Sequence, residues 1–293
     1  MRTTICTAIV FGALAARGES VKLVYSAALY ADAKDVQLKA PEGVACAAGG
    51  RLVVADSGNG RLLSASFNGS SFAGAQELKA PQLARPTRVQ IDAQGDLLVL
   101  DARKRRIGRL GAGGEWKGYL EPRDVPGDTA LAPVAFRLGP AGQVVLLDVL
   151  ASRVVVLDAT GGFQRTLPLP PGEFVDVSAG PQGTLYLVDP VNAIVYAAAP
   201  AATSFTPFSK ALRQYASFPV FAEPAEGRLM VVDSHGGGVV ILGPDGSFLG
   251  RQLGAGRGEG TLYYPSQICL DGNGTLLVAD RDNNRVQAFS IAR

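Results

Sequence analysis

One histidine, three cysteines and one tryptophan occur in 293 residues. A single imidazole argues against a histidine-rich zinc centre, which draws several imidazole or thiolate ligands. Three cysteines are too few for a disulfide-framed scaffold. Charge is sparse as well: Asp, Glu, Lys and Arg make up 18% of the chain, and their near balance leaves a formal net charge of +2. That balance argues against nucleic acid as a partner, because such binders carry a strongly basic face. No segment sustains an apolar period of 3.6 residues, so no long helix is expected. No apolar run reaches the ~20 residues that a membrane-spanning helix needs. What is abundant is glycine, 36 residues, and apolar side chains, 47% of the chain.

The longest apolar run, at 5–16, follows Arg2 and contains the small-x-small pattern Ala13-Leu14-Ala15. It reads as a secretory signal peptide over residues 1–15, which predicts a periplasmic or secreted protein. Cys6 lies inside the run instead of at the cleavage point, so no lipid anchor is expected.

The remainder, 21–293, reads as a single domain written six times. An aspartate recurs as Asp56, Asp101, Asp148, Asp189, Asp233 and Asp280, at intervals of 45, 47, 41, 44 and 47 residues. Six positions before each stands a glycine: Gly50, Gly95, Gly142, Gly183, Gly227 and Gly274. Fifteen positions before it stands Pro41, Pro86, Pro133 or Pro265, replaced by Phe174 and Phe218 in two copies. Between glycine and aspartate every copy holds a continuous apolar stretch, the mark of a strand covered on both faces. Glycine turns before Phe72, Trp116, Phe163 and Phe248 announce a fourth strand. Four strands in about 40 to 45 residues is the spacing of a propeller blade. The fold expected is an all-β, six-bladed β-propeller with four-stranded antiparallel blades.

The last copy ends at Arg293 after its third strand, and residues 21–40 precede the first copy. An open edge exposes unpaired backbone, so the N-terminal strand is expected to pair with the last blade and close the ring. Cys46 and Cys269 fall on the first strands of the first and last copies. Cys46 stands ten residues before its aspartate and Cys269 eleven. Strand alternation turns them to opposite faces, which predicts two buried free thiols.

The last copy, Pro265, Gly274, Val278-Ala279-Asp280, Asn283-Asn284-Arg285-Val286 and Phe289, resembles an NHL repeat, and the first copy follows it through Pro41, Gly50, Val54-Ala55-Asp56, Arg61 and Phe67. The resemblance implies the propeller and leaves the activity open, because the family includes protein-binding, RNA-binding, sugar-binding and enzymatic members. Some six-bladed relatives, calcium-dependent lactonases and esterases, hold calcium in the central channel. Glu42 is similar to the first of their ligands and is the one weak metal candidate. The matching positions Thr87, Val134, Val175 or Pro219, and Ser266 do not supply the six to eight oxygens calcium prefers. No cofactor is therefore expected, with calcium as the alternative.

Other motifs have structural readings. The pairs Asp56/Arg61, Asp101/Arg106, Asp148/Arg153 and Asp280/Arg285 flank one turn and are expected to brace it with charge-assisted hydrogen bonds. The glycines at 254–260 precede a strand, whereas phosphate cradles precede a helix. His235 is expected to sit exposed in a turn. The clearest departure from the repeat is basic: Arg103, Lys104 and Arg105 fill one turn, and Arg85 and Arg88 flank Pro86 in the same copy. In a propeller these groups emerge on one face, joined by Arg61 and Arg281 from the blades at the closure. That face is expected to lack a set of stacking aromatics. The reading that follows is a monomeric, exported, non-catalytic propeller presenting one loop face to a protein or carbohydrate. The alternative is a calcium-dependent lactonase- or esterase-like hydrolase with its site in the central channel.

Overall fold

The computed structural model describes residues 21–127, 130–225 and 227–292. The signal-peptide segment lies outside them. Six antiparallel four-stranded sheets account for the strands. Blades 1 to 5 occupy residues 43–78, 86–119, 135–168, 176–207 and 219–252, each with its strands in sequence order. Blade 6 takes its first three strands, Ile268–Leu270, Thr275–Asp280 and Arg285–Ala292, from the end of the chain and its fourth, Lys22–Leu29, from the beginning. Lys22 lies opposite Ala292 and Leu29 opposite Val286 in this pairing. The closing strand therefore sits where the unpaired edge of the last repeat required one.

The glycine–strand–aspartate unit explains each blade locally. All six repeat glycines have φ between 61° and 89°, a region that side chains carrying a Cβ rarely enter. Gly274 has open space around it, so there the turn itself, not crowding, demands glycine. The second strands read as continuous apolar runs because both faces pack. In blade 1, Leu52 and Val54 face blade 6, while Val53 and Ala55 face blade 2. Among the described residues the core divides into six apolar clusters, one at each junction between neighbouring blades. The six first strands contact one another in succession around the axis, the sixth returning to the first.

Cys46 and Cys269 form a disulfide, with Cα atoms 5.9 Å apart; they are not free thiols. The alternation that turns them to opposite faces is real, but its consequence is the reverse of the one expected. Cys46 lies with Val44, Leu52 and Val54 on the side of blade 1 facing blade 6; Cys269 lies with Leu277 and Ala279 on the side of blade 6 facing blade 1. The front of one sheet packs on the back of the next. Side chains of opposite parity on neighbouring blades therefore meet.

Candidate functional site

In blades 1, 2, 5 and 6 the turn after the second strand and the loop entering the first strand are tied together on one face of the ring. Gly58 donates its backbone N–H to Lys39, Ala102 to Arg85, Ser234 to Phe218 and Asp282 to Tyr263. The repeat aspartates lie beneath this loop face, all 0 or 1% exposed. In blades 1, 2, 5 and 6 the carboxylate accepts backbone N–H groups from the incoming loop, at 2.7 Å from Lys39 to Asp56, Ala84 to Asp101 and Tyr263 to Asp280, and at 2.9 Å from Phe218 to Asp233. The aspartate is thus a structural staple between strand and loop.

The arginine brace forms at three of the four predicted places. Arg61 Nε reaches Asp56 at 2.8 Å, Arg153 Nε reaches Asp148 at 3.3 Å and Arg285 Nε reaches Asp280 at 2.7 Å. It fails at Asp101, which takes four backbone N–H groups, from Ala84, Arg85, Arg103 and Lys104. Arg106 turns instead to Glu121 and lies 4.0 Å from the centroid of the Tyr119 ring. Asp233, whose copy lacks the arginine, receives Arg251 from the fourth strand at 3.1 Å.

The predicted basic residues separate into four places. Arg103 and Arg105 stand exposed on the blade 2 turn, while Lys104 folds back to the Gln82 carbonyl at 2.5 Å and the Tyr119 hydroxyl at 3.0 Å. Arg85 pairs with Glu42 at 2.6 Å. Arg88 leaves the rim for the channel, where its guanidinium lies 5.3 Å from the centroid of Phe221, across the ring. Its place on the inner strand, two residues after Pro86, directs it to the axis. Arg281 sits in the blade 6 turn over Tyr264. The residues flanking Pro86 and the turn therefore do not gather five cations at one rim.

Sequence reasoning placed the channel chemistry at Glu42 and missed the residues deeper on the inner strands. Arg137 pairs with Glu223 two blades away, and its guanidinium lies 5.5 Å from the Phe221 centroid. Asp176 accepts the Ala222 N–H at 3.1 Å through one oxygen, and its other oxygen has no partner. Burial pushes the Asp176 carboxyl up to about 7 against the pull of Arg88, and burial raises Glu223 against the pull of Arg137. The signal was present as charge inside short inner strands, at Ala135–Leu138, Asp176–Ala179 and Pro219–Ala225. This donor set does not fit calcium. Glu42 is engaged by Arg85, the Ser266 hydroxyl bonds to the Glu42 carbonyl at 2.8 Å, and the deeper carboxylates share the channel with two guanidinium groups. Among the described residues no three Asp, Glu, His or Cys side chains cluster as metal ligands.

Two further groups depart from the repeat on the loop face. Val134, Leu150 and Val191 stand exposed on blades 3 and 4, with Leu150 at 62%. On blades 5 and 6 the expectation of no aromatic set fails. Phe218, His235, Tyr264 and Tyr263 form a contiguous row of rings.

The NHL repeat model matches residues 262–289, the span from the entry loop of blade 6 to Phe289. No curated protein matches the sequence. Among solved structures, a gluconolactonase from Xanthomonas campestris is similar at 19% identity over 94% of this chain and 99% of that one, with a TM-score of 0.65. Virginiamycin B lyase from Staphylococcus aureus, solved with quinupristin, is 16% identical over 92% and 99%, with a TM-score of 0.64. A chain of the nidogen/laminin complex is 14% identical over 79% and 92%, with a TM-score of 0.60. At these identities the likeness is one of fold. The chain is a six-bladed β-propeller carrying an NHL repeat, matched at 262–289, whose buried aspartate recurs in all six blades.

Proposed function

We propose that this protein is an exported, non-catalytic propeller that works as a monomer and presents its loop face to a protein or carbohydrate partner. The observation that carries the reading is the gathering of departures from the repeat on that single face. The exposed cations of the blade 2 turn, the exposed Val134, Leu150 and Val191, and the aromatic row all lie there. Exposed apolar, cationic and aromatic side chains sharing one face are what recognition surfaces carry. The Cys46–Cys269 disulfide supports export, since such bonds persist in oxidising compartments. Among proteins of this shape, one neighbour was solved as part of the nidogen/laminin complex.

The test compares wild type with Arg103, Lys104 and Arg105 all changed to Ser, and separately with Leu150→Asp. Each is used to capture ligand from an envelope extract, before and after protease treatment. Loss of capture at unchanged melting temperature is expected. Full capture by both variants would discard the loop face, and protease sensitivity assigns the class of partner. A channel-centred hydrolase is favoured by one observation, the raised Asp176 carboxyl, because perturbed carboxyls concentrate at working sites. Lactone or ester turnover abolished by Asp176→Asn would establish it in place of the binding role.

A further inference from the structure

The row of rings on blades 5 and 6 has a polarity and a geometry that no requirement of the fold explains. Phe218 and His235 stack nearly parallel, with centroids 4.4 Å apart and planes 11° from each other. Tyr264 meets His235 edge-on at 5.4 Å, and Tyr263 meets Tyr264 edge-on at 5.0 Å. A cation flanks each tyrosine: Arg281 lies 5.6 Å from the Tyr264 centroid and Arg257 lies 4.4 Å from that of Tyr263. His235 and Arg257 are exposed, and the others are partly so.

Tyr264 is held in an uncommon conformation. Its φ is 50° and Pro265 follows it. A bulky residue seldom adopts positive φ, and a residue before proline is normally extended. The blade fixes it there, because Tyr263 is clamped on both sides: its N–H binds Asp280 at 2.7 Å and its carbonyl accepts Asp282 N–H at 3.1 Å. The equivalent residue of the first copy is Ala40, with φ 42°. The turn therefore imposes the conformation, while the tyrosine ring over His235 belongs to this copy alone of the two.

We infer that this row binds an anionic pyranose chain, one bearing carboxylate or sulfate groups; the inference rests on the loop-face reading above and names its ligand class. Sugar rings need an aromatic face for their C–H surface and polar groups for their hydroxyls. The His235 nitrogens and both tyrosine hydroxyls make no hydrogen bond among the described residues and so are available to a ligand. Arg257 forms no ion pair among them, and Arg281 uses Nε on Asp282 at 2.8 Å, leaving its terminal nitrogens for an oxyanion. A nucleic acid fits less well. Both tyrosines turn edge-to-face, and Phe218 and His235 stack directly on each other at 4.4 Å, which leaves no slot for a base between them, and two arginines neutralise few phosphates. A protein partner would find its apolar contacts at Val134, Leu150 and Val191, on blades 3 and 4.

The full mature chain is titrated by calorimetry with oligogalacturonate, a sulfated oligosaccharide of equal length, a neutral glucan of equal length and poly(U). The expected result is binding of one or both anionic sugars, weakening with salt and at least tenfold tighter than the neutral glucan. Tyr264→Ala and, separately, Arg257→Gln with Arg281→Gln should each weaken it about tenfold. The second variant leaves the clamped turn intact, so a misfolded Tyr264→Ala would not decide the matter. The carboxylated and sulfated arms identify the anion. No sugar binding, equal binding of the neutral glucan, tighter binding of poly(U), or indifference to the double arginine change overturns the inference. If capture is lost in the Arg103–Arg105 or Leu150 variants while no sugar binds, the loop-face reading stands and only this ligand class falls.

Discussion

Blades 6 and 1 hold the ring shut, and their strongest interactions stay within a turn or a seam. Asp280 gathers Arg285 at 2.7 Å, Asn283 at 2.8 Å, Gln287 at 2.9 Å and the Tyr263 N–H at 2.7 Å, and Arg285 is itself 3% exposed. Arg61 bridges Asp56 and Asp32, and the disulfide joins the two inner strands. The inner-strand residues of this side in register with Arg88 and Arg137, namely Gly43, Ala45, Gln267 and Cys269, are uncharged. Blades 2 to 5 differ. Arg88, Arg137, Asp176 and Glu223 project from their inner strands, Arg106 deserts Asp101, and Asp189 is served by Asn192 without an arginine. Blade 3 alone on this side keeps the brace, at 3.3 Å. Where an aspartate retains its arginine, that cation is consumed in holding the turn. In blade 2, where it does not, Arg106 is freed to pair with Glu121, while the channel charges on the inner strands of blades 2 to 5 are set apart from the braces and need a functional account of their own.

The comparison breaks first at Arg285. Replacing it by Ala removes the main counter-charge of a buried carboxylate, a change expected to destabilise the protein by about 3–5 kcal/mol. Urea unfolding measures it, and a loss under about 1 kcal/mol would mean that the closure turns matter no more than the others. Next is Asp176→Asn on the far side. Asp176 has its carboxyl raised from 3.8 to about 7. A group raised on folding contributes stability that is complete below its unfolded pKa, near 4, and lost as pH climbs through about 7. The asparagine variant should match wild type near pH 4 and exceed it at pH 8, by up to about 4 kcal/mol at 1.36 kcal/mol per unit. Parallel stability curves from pH 4 to 8 would show that the channel carboxyl is ionised throughout.

The third effect sharpens the closure side. Changing Cys46 and Cys269 together to Ser should cost about 2–4 kcal/mol, as for other disulfides that close long loops. An unchanged melting temperature would leave the Lys22–Leu29 strand as sufficient closure. The same pair marks how far the sequence could be read. The six glycines and aspartates made the blades legible because each is demanded locally, by a turn or by a strand end. The closing strand was legible because an unpaired edge must be covered. The disulfide was not, since it depends on which face of one blade meets which face of the next. Arg88 and Asp176 were missed for a related reason. A charge on an inner strand is visible in sequence, but its partners lie on other blades, from the next one to three away, and only the closed ring brings them together.

The smallest expected effect is at Arg106, and it tests the contrast from the other end. Its ion pair with Glu121 is exposed on both sides, at 45 and 70%, where such pairs contribute under about 1 kcal/mol. Asp101 does not depend on it, because four backbone N–H groups already occupy its oxygens. Arg106→Ala should therefore leave the urea midpoint nearly unchanged, while the loss of its stacking on Tyr119 loosens the fourth strand of blade 2 locally. Faster amide hydrogen exchange at Trp116–Tyr119, with global stability intact, is the expected record. If the variant instead unfolded as readily as Arg285→Ala, Asp101 would have to be drawing on Arg106 in solution. Blade 2 would then be a braced blade like blade 1, and the release of its turn cations to the loop face would need another cause.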